Sequence, residues 1–222
     1  YNGGDTLSIE VSVLPGKGTL MMTGSLGEVM QESAQAAMSY MRARAADLNV
    51  PSEDFEDYDV HVHLPEGAVP KDGPSAGITL ASAIISAFTE RKVRADFAMT
   101  GEITLRGRVL PIGGLKEKLL AANRARIKHV IVPSQNQKDM VDVPVNTQRD
   151  LTLHFVDDMQ QVMDLVLMDA PEERERDQLR DIEDHRRKKK PKSKAANVDT
   201  ETEAVGETKP APKRKKKEQP EA

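Results

Sequence analysis

A hydroxyl held where a rigid loop meets a buried helix is a candidate nucleophile, and the sequence supplies one. Residues 65–79 carry three prolines and three glycines and run directly into the apolar stretch AGITLASAIISAF, residues 76–88. Proline and glycine set the backbone shape of such a loop, and a buried helix fixes that shape in space. The hydroxyl at the junction is Ser75. With Pro74 at the first helical position, Ser75 falls in the first turn, where backbone N–H groups lack intrahelical partners and face a developing anion. A carbonyl attacked by Ser75 would place its negative charge beside them. The competing reading is that Ser75 caps the helix, a role serine commonly fills.

A serine nucleophile needs a base. Of the five histidines, His61 and His63 are spaced i, i+2 on a strand and share one face. They are candidates for a base or for metal ligands, or else strand residues facing water. No further histidine or carboxylate stands at motif spacing to complete a site. Lys116 and Lys118 are the other candidates, in the first turn of a helix that follows Gly113-Gly114. The dipole is positive at that end, which disfavours an ammonium and lowers its pKa. An ordinary lysine, pKa ~10.4, is neutral only about once in 2,500 at pH 7. A shift of ~3 units needs burial as well as the dipole. Without burial either lysine is a solvated surface residue, and spacing does not choose between them.

The elements that must position these groups follow from periodicity and turn chemistry. Alternation predicts a strand over 6–14, a turn at Pro15-Gly16-Lys17-Gly18 and a returning strand over 19–23. A helix over 28–48 and an acidic loop over 53–59 lead to a short strand at 60–64. Beyond the apolar helix come a buried strand at 97–100, a hairpin over 101–112 broken at Gly107, and a helix over 115–125. A strand at 129–132, a short helix capped by Ser134, a strand at 151–156 and a helix at 159–168 capped by Asp157 complete the series. Helices and strands interleave, but several strands neighbour directly. That pattern indicates an α+β fold, a mixed sheet with flanking helices.

Composition divides the chain of 222 residues into a body, 1–170, and a charged low-complexity tail, 171–222. The tail holds 16 of the 32 Lys+Arg and 13 of the 36 Asp+Glu, so the body is near −7 and the tail near +3. From Pro191 on there is almost nothing to bury, and disorder is expected. A body of this size buries roughly 70% of its unfolded surface and needs no staple. The absence of cysteine excludes a thiol nucleophile, a zinc–thiolate site and a disulfide framework, and fits a reducing compartment. The longest apolar run is too short to span a bilayer, and the N-terminus lacks the regions of a signal peptide, so no membrane association is expected. The chain begins at Tyr1 without a methionine and enters strand-like sequence almost at once, as a piece of a longer protein would.

Three collinear segments, EGAVPKDGPSAG, AMTGEITLRGRVLPIGGLKEKLLAA and VIVPSQN, resemble the proteolytic domain of the bacterial Lon proteases. The likeness runs from Leu7 to Met168. It implies a serine endopeptidase of unfolded proteins that uses a Ser–Lys dyad, on a family-specific α+β fold, in a hexameric ring, in the cytoplasm. By position in the motifs, Ser75 matches the nucleophile and Lys118, the second lysine of GGLKEK, matches the base. Lys116 is then a non-catalytic neighbour. Thr100 matches a hydroxyl that hydrogen-bonds the catalytic lysine. Asp72 matches a motif aspartate beside the nucleophile, and His61 and His63 match an HxH strand that supports the site.

The family's ATP dependence resides in an AAA+ module with a phosphate loop, and this chain contains no GxxxxGK[ST]. ATP and magnesium are therefore expected only in a longer protein that carries the module N-terminal to this domain, and no cofactor or metal in this chain. The nearest string, Pro15-Gly16-Lys17-Gly18-Thr19, lacks the leading glycine and precedes a strand. Two other readings stand beside the protease. One is a non-catalytic assembly or binding module. The other is nucleic-acid contact through the basic tail, which has charge but no aromatic residue for stacking.

Overall fold

A computed structural model of the chain describes residues 4–65 and 67–169. The body–tail boundary at 170 and the disorder expected of the tail lie outside the described residues. The architecture is a set of small sheets and helices rather than the single mixed sheet expected.

The first sheet contains β1 (Glu10–Pro15), β2 (Leu20–Thr23) and β3 (Tyr58–His63), in the order β1-β3-β2. The strand over 19–23 does not return along β1. β3 inserts between the two, antiparallel to β1 and parallel to β2. Alternation along β3 sends Val60 and Val62 into the core and leaves His61 and His63 on the opposite face. Between β2 and β3 lie α1 (Glu28–Ala43), shorter than the 28–48 expected, and the single turn α2 (Asp54–Asp57) inside the acidic loop.

The loop after β3 ends in a 3₁₀ turn, Pro74–Ala76, which continues into α3 (Gly77–Thr89). Ile78, Leu80, Ala81, Ile84 and Ile85 of α3 are fully buried and pack with Met30, Ala34, Ala37, Met38 and Met41 of α1. Each Leu or Ile removed from water in this way contributes roughly 1.5–3 kcal/mol before conformational entropy is set against it.

The second sheet is parallel, in the order β4 (Phe97–Met99), β7 (His129–Pro133), β8 (Thr152–Val156). The expected hairpin forms from β5 (Glu102–Ile103) and β6 (Val109–Leu110). It is followed by α4 (Leu115–Arg124), a 3₁₀ segment Ser134–Asp142, α5 (Val145–Asp150), not foreseen, and α6 (Met159–Val166). Two expected caps are corrected. Ser134 makes no capping bond. Asp158, not Asp157, caps α6, its carboxylate accepting from Gln161 N at 3.0 Å. Gln161 answers by accepting from Asp157 N–H, so the pair spans both sides of the cap.

The parallel sheet separates two apolar clusters. Ile131 of β7 belongs to the cluster built on α1 and α3, whereas its neighbours Val130 and Val132 belong to a second one with Leu115, Leu119 and Ala122 of α4. Period-two alternation on one central strand thus serves two cores, which puts α3 and α4 on opposite sides of it.

Candidate active site

Ser75 is the middle residue of the 3₁₀ turn, with Pro74 at its first position. Gly73 precedes it at φ 118°, a conformation that L side chains rarely adopt, and so turns the loop into the helix. The Ser75 hydroxyl does not cap either the turn or α3. The Ser75 carbonyl accepts from Gly101 N at 2.8 Å and from Thr100 Oγ1 at 3.1 Å. Ile78 N donates back to Gly101 O, and Thr100 N donates to Ile131 O on β7. The start of α3 is thereby laced to the end of β4.

Lys118 Nζ is hydrogen-bonded to Ser75 Oγ at 3.1 Å. The helical phase of α4 explains why this lysine and not its neighbour reaches the hydroxyl. Leu115, Leu119, Ala121 and Ala122 are the buried positions, and Lys118 lies at the edge of their stripe, partly buried itself. Lys116 is exposed. Burial pushes the Lys118 ammonium below the usual lysine range.

Asp72 turns away from this pair. Its Oδ1 accepts from Gly73 N at 2.8 Å and from Met30 N at 3.0 Å, the third residue of α1. The residue in the capping position of α1 is Gly27, which has no side chain to offer, so Asp72 caps that helix from across the loop. A Cβ on Gly27 would come within 2.3 Å of Asp72 Cγ, so only glycine admits this cap.

Thr100, which is buried, donates to the Ser75 carbonyl rather than to Lys118, so its hydroxyl holds the backbone of the candidate nucleophile. His61 Nε2 and His63 Nδ1 both bond Thr23 Oγ1 on β2, at 2.9 and 2.7 Å. Among the described residues neither histidine bonds Ser75 or Lys118. No cluster of three or more metal-ligating side chains occurs among the described residues, and no described helix is long and apolar enough to cross a membrane. One residue of the loop escaped the sequence reading. Lys71 is only 5% exposed and is bonded to the turn before α1.

Comparison with known proteins adds to this geometry. Residues 1–169 match the model of the Lon protease C-terminal proteolytic domain. The chain belongs to that family. It is 57% identical over 165 residues to the Lon protease of Halothermothrix orenii, covering 74% of this chain and 21% of that protein. It is 57% identical over 169 residues to the Lon protease of Erwinia amylovora, covering 76% of this chain and 22% of the relative. It is 55% identical over 166 residues to Lon protease 2 of Thermus thermophilus, covering 75% and 21%. The chain thus spans about a fifth of the length of the curated relatives it matches. The loop with Ser75, β4, the hairpin and α4 all fall inside the matched Lon domain.

Proposed function

We propose that this chain is a serine endopeptidase that works through a Ser75–Lys118 dyad. The observation that carries the reading is the 3.1 Å contact between Lys118 Nζ and Ser75 Oγ, made by an amine whose pKa burial lowers. Neutral Lys118 takes the Ser75 proton as Oγ attacks the substrate carbonyl. The Ser75 N–H, first in a turn that begins with a proline, faces the resulting oxyanion. The Lys118 ammonium then protonates the leaving amine, and the acyl-enzyme remains. Lys118 next deprotonates a water, which attacks the ester and returns Ser75 to its hydroxyl form.

Family membership supports the wider reading of an oligomeric protease acting on protein substrates, driven by ATP in a longer chain; a hexameric ring in the cytoplasm that admits unfolded polypeptide is the further part of the proposal. The loop Pro15-Gly16-Lys17-Gly18-Thr19 does not fit a nucleotide phosphate. The N–H groups of Lys17 and Thr19, in the only phosphate-loop-like string, both donate to the Asp59 carboxylate, at 2.9 and 2.8 Å. An acidic side chain already occupies the donors that a phosphate would need. No step of the reaction proposed for this domain passes through ATP.

The test is labelling with a serine-directed fluorophosphonate followed by peptide mass spectrometry. Adduct is expected on Ser75 and lost in Lys118→Met. An unlabelled Ser75 in a protein that cleaves casein would overturn the assignment.

A further inference from the structure

Among the described residues between Leu64 and Gly77, Lys71 is the only one buried, while Val69 two positions earlier is 57% exposed. A lysine is rarely placed so deep, because its ammonium loses water unless protein acceptors replace it. Here Nζ donates to Gly24 O at 3.3 Å and to Val69 O at 3.2 Å. The main chain of the same residue is tied as well. Lys71 N donates to Ser25 O at 3.0 Å, and Lys71 O accepts from Gly27 N at 2.7 Å. Leu26 and Lys71 form an isolated parallel bridge. One residue thus fastens the loop to the turn between β2 and α1 through both its side chain and its backbone.

Only Asp72, Gly73 and Pro74 separate this anchor from Ser75. Asp72 is bound to α1, and proline fixes its own φ. Gly73, the joint that remains, has its own N–H bonded to Asp72 Oδ1 at 2.8 Å, so the path from Lys71 to Ser75 is short and restrained at each residue.

We propose that Lys71 is a positioning residue, whose ammonium holds the loop so that Ser75 Oγ meets Lys118 Nζ. The inference rests on the reading of Ser75 as the nucleophile. An apolar side chain of equal length would fill the same space but leave the Gly24 and Val69 carbonyls without this donor.

Two readouts test it. The first is independent of catalysis. In Lys71→Met, amide hydrogen exchange over residues 64–76 should quicken on the order of tenfold while residues 80–89 of α3 keep their wild-type rate. The second is phosphonylation of Ser75 by a fluorophosphonate, which expels fluoride, per folded molecule. It should fall on the order of 100-fold, with the KM for a peptide substrate held within about twofold, the scale of a 1 Å misplacement.

The chain has no cysteine, so Lys71→Cys can be alkylated in denaturant at one site and refolded. Aminoethylation rebuilds an ammonium and should restore phosphonylation, whereas propylation should leave it at the level of Lys71→Met. Unchanged exchange in Lys71→Met overturns the clamp. Unchanged phosphonylation overturns the positioning role, and equal rescue by the propyl chain overturns the part given to the charge. Ser75→Ala that still cleaves casein would instead sink the protease reading, with the exchange result still judging the clamp.

Discussion

The loop that carries Ser75 is held mainly by hydrogen bonds, whereas the helix that carries Lys118 is held mainly by burial. On the first side, the Ser75 carbonyl receives Gly101 N–H and Thr100 Oγ1–H, and Lys71 and Asp72 tie the loop to the start of α1. Most of that loop is exposed or half-exposed. On the second side, Leu115 and Leu119 sit in an apolar cluster with Val130, Val132 and Leu151, and Lys118 rides at its edge. The difference matches what the proposed roles require. A nucleophile needs a fixed direction, and hydrogen bonds are directional. A lysine base needs a lowered pKa, and removal from water supplies a shift of that sign.

The largest effects should come from breaking the pair itself. Ser75→Ala and Lys118→Met are each expected to cut casein cleavage on the order of 10³–10⁴-fold without unfolding the domain. The double variant should be no worse than either single one, because residues that act as a unit do not add. The wild-type rate should rise with pH as Lys118 loses its proton, with a midpoint below that of an ordinary lysine. Lys118→Met should lack that rise.

Stability and activity should rise together with pH and part only when Lys118 is replaced. Burial lowers the folded-state pKa of Lys118, so between that value and the ordinary lysine range the unfolded chain binds more protons. Stability contributed by this group therefore grows as pH rises through the folded-state pKa and is missing below it. At neutral pH, Lys118→Met should raise the thermal midpoint by roughly 2 °C in a calorimeter. A fall would mean that the amine is better solvated than its surroundings imply.

The next two variants separate the two kinds of support. Leu119→Ala empties a fully buried site beside Lys118 and should cost about 2–5 kcal/mol in denaturant unfolding. The remaining folded molecules should show a higher Lys118 midpoint, because water enters on that side. Asp72→Ala removes a cap and should cost about 1 kcal/mol. Gly27→Ala should cost a similar amount, since its Cβ would displace the same carboxylate. In the double variant the two costs should overlap rather than sum. Full additivity would show that Asp72 and Gly27 act separately.

Local elements were largely legible in the sequence because their signals are local. The break at Gly107, the Gly113-Gly114 entry to α4 and the apolar run of α3 all sit where turn and periodicity rules put them. What was not legible depended on residues far apart in the chain. Nothing near residues 19–23 announces that β3, some forty positions on, will lie between β1 and β2. Asp72 looks like a turn residue until α1 is found above it. The bond from Thr100 Oγ1 to a main-chain carbonyl 25 residues away was hidden for the same reason. Asp157 and Asp158 differ by one position, within the error of any helix boundary. The choice between Lys116 and Lys118 was open to spacing, yet the phase of Leu115, Leu119 and Ala122 already contained it.

That last choice gives the smallest prediction and the cleanest one about cause. Lys116 and Lys118 lie in the same opening stretch of α4 and feel the same helix terminus, but only Lys118 is sheltered from water. If a neighbouring charge were what prepares the base, removing the charge of Lys116 would shift the pH–rate curve of Lys118 upwards by a clear fraction of a unit. If burial is what prepares it, Lys116→Met should leave kcat/KM within about twofold and the midpoint where it was, since an exposed charge is screened within about 8–10 Å at ordinary salt. Repeating the titration at low and high ionic strength sharpens the comparison. A midpoint set by burial stays put, and one set by exposed charges moves with salt.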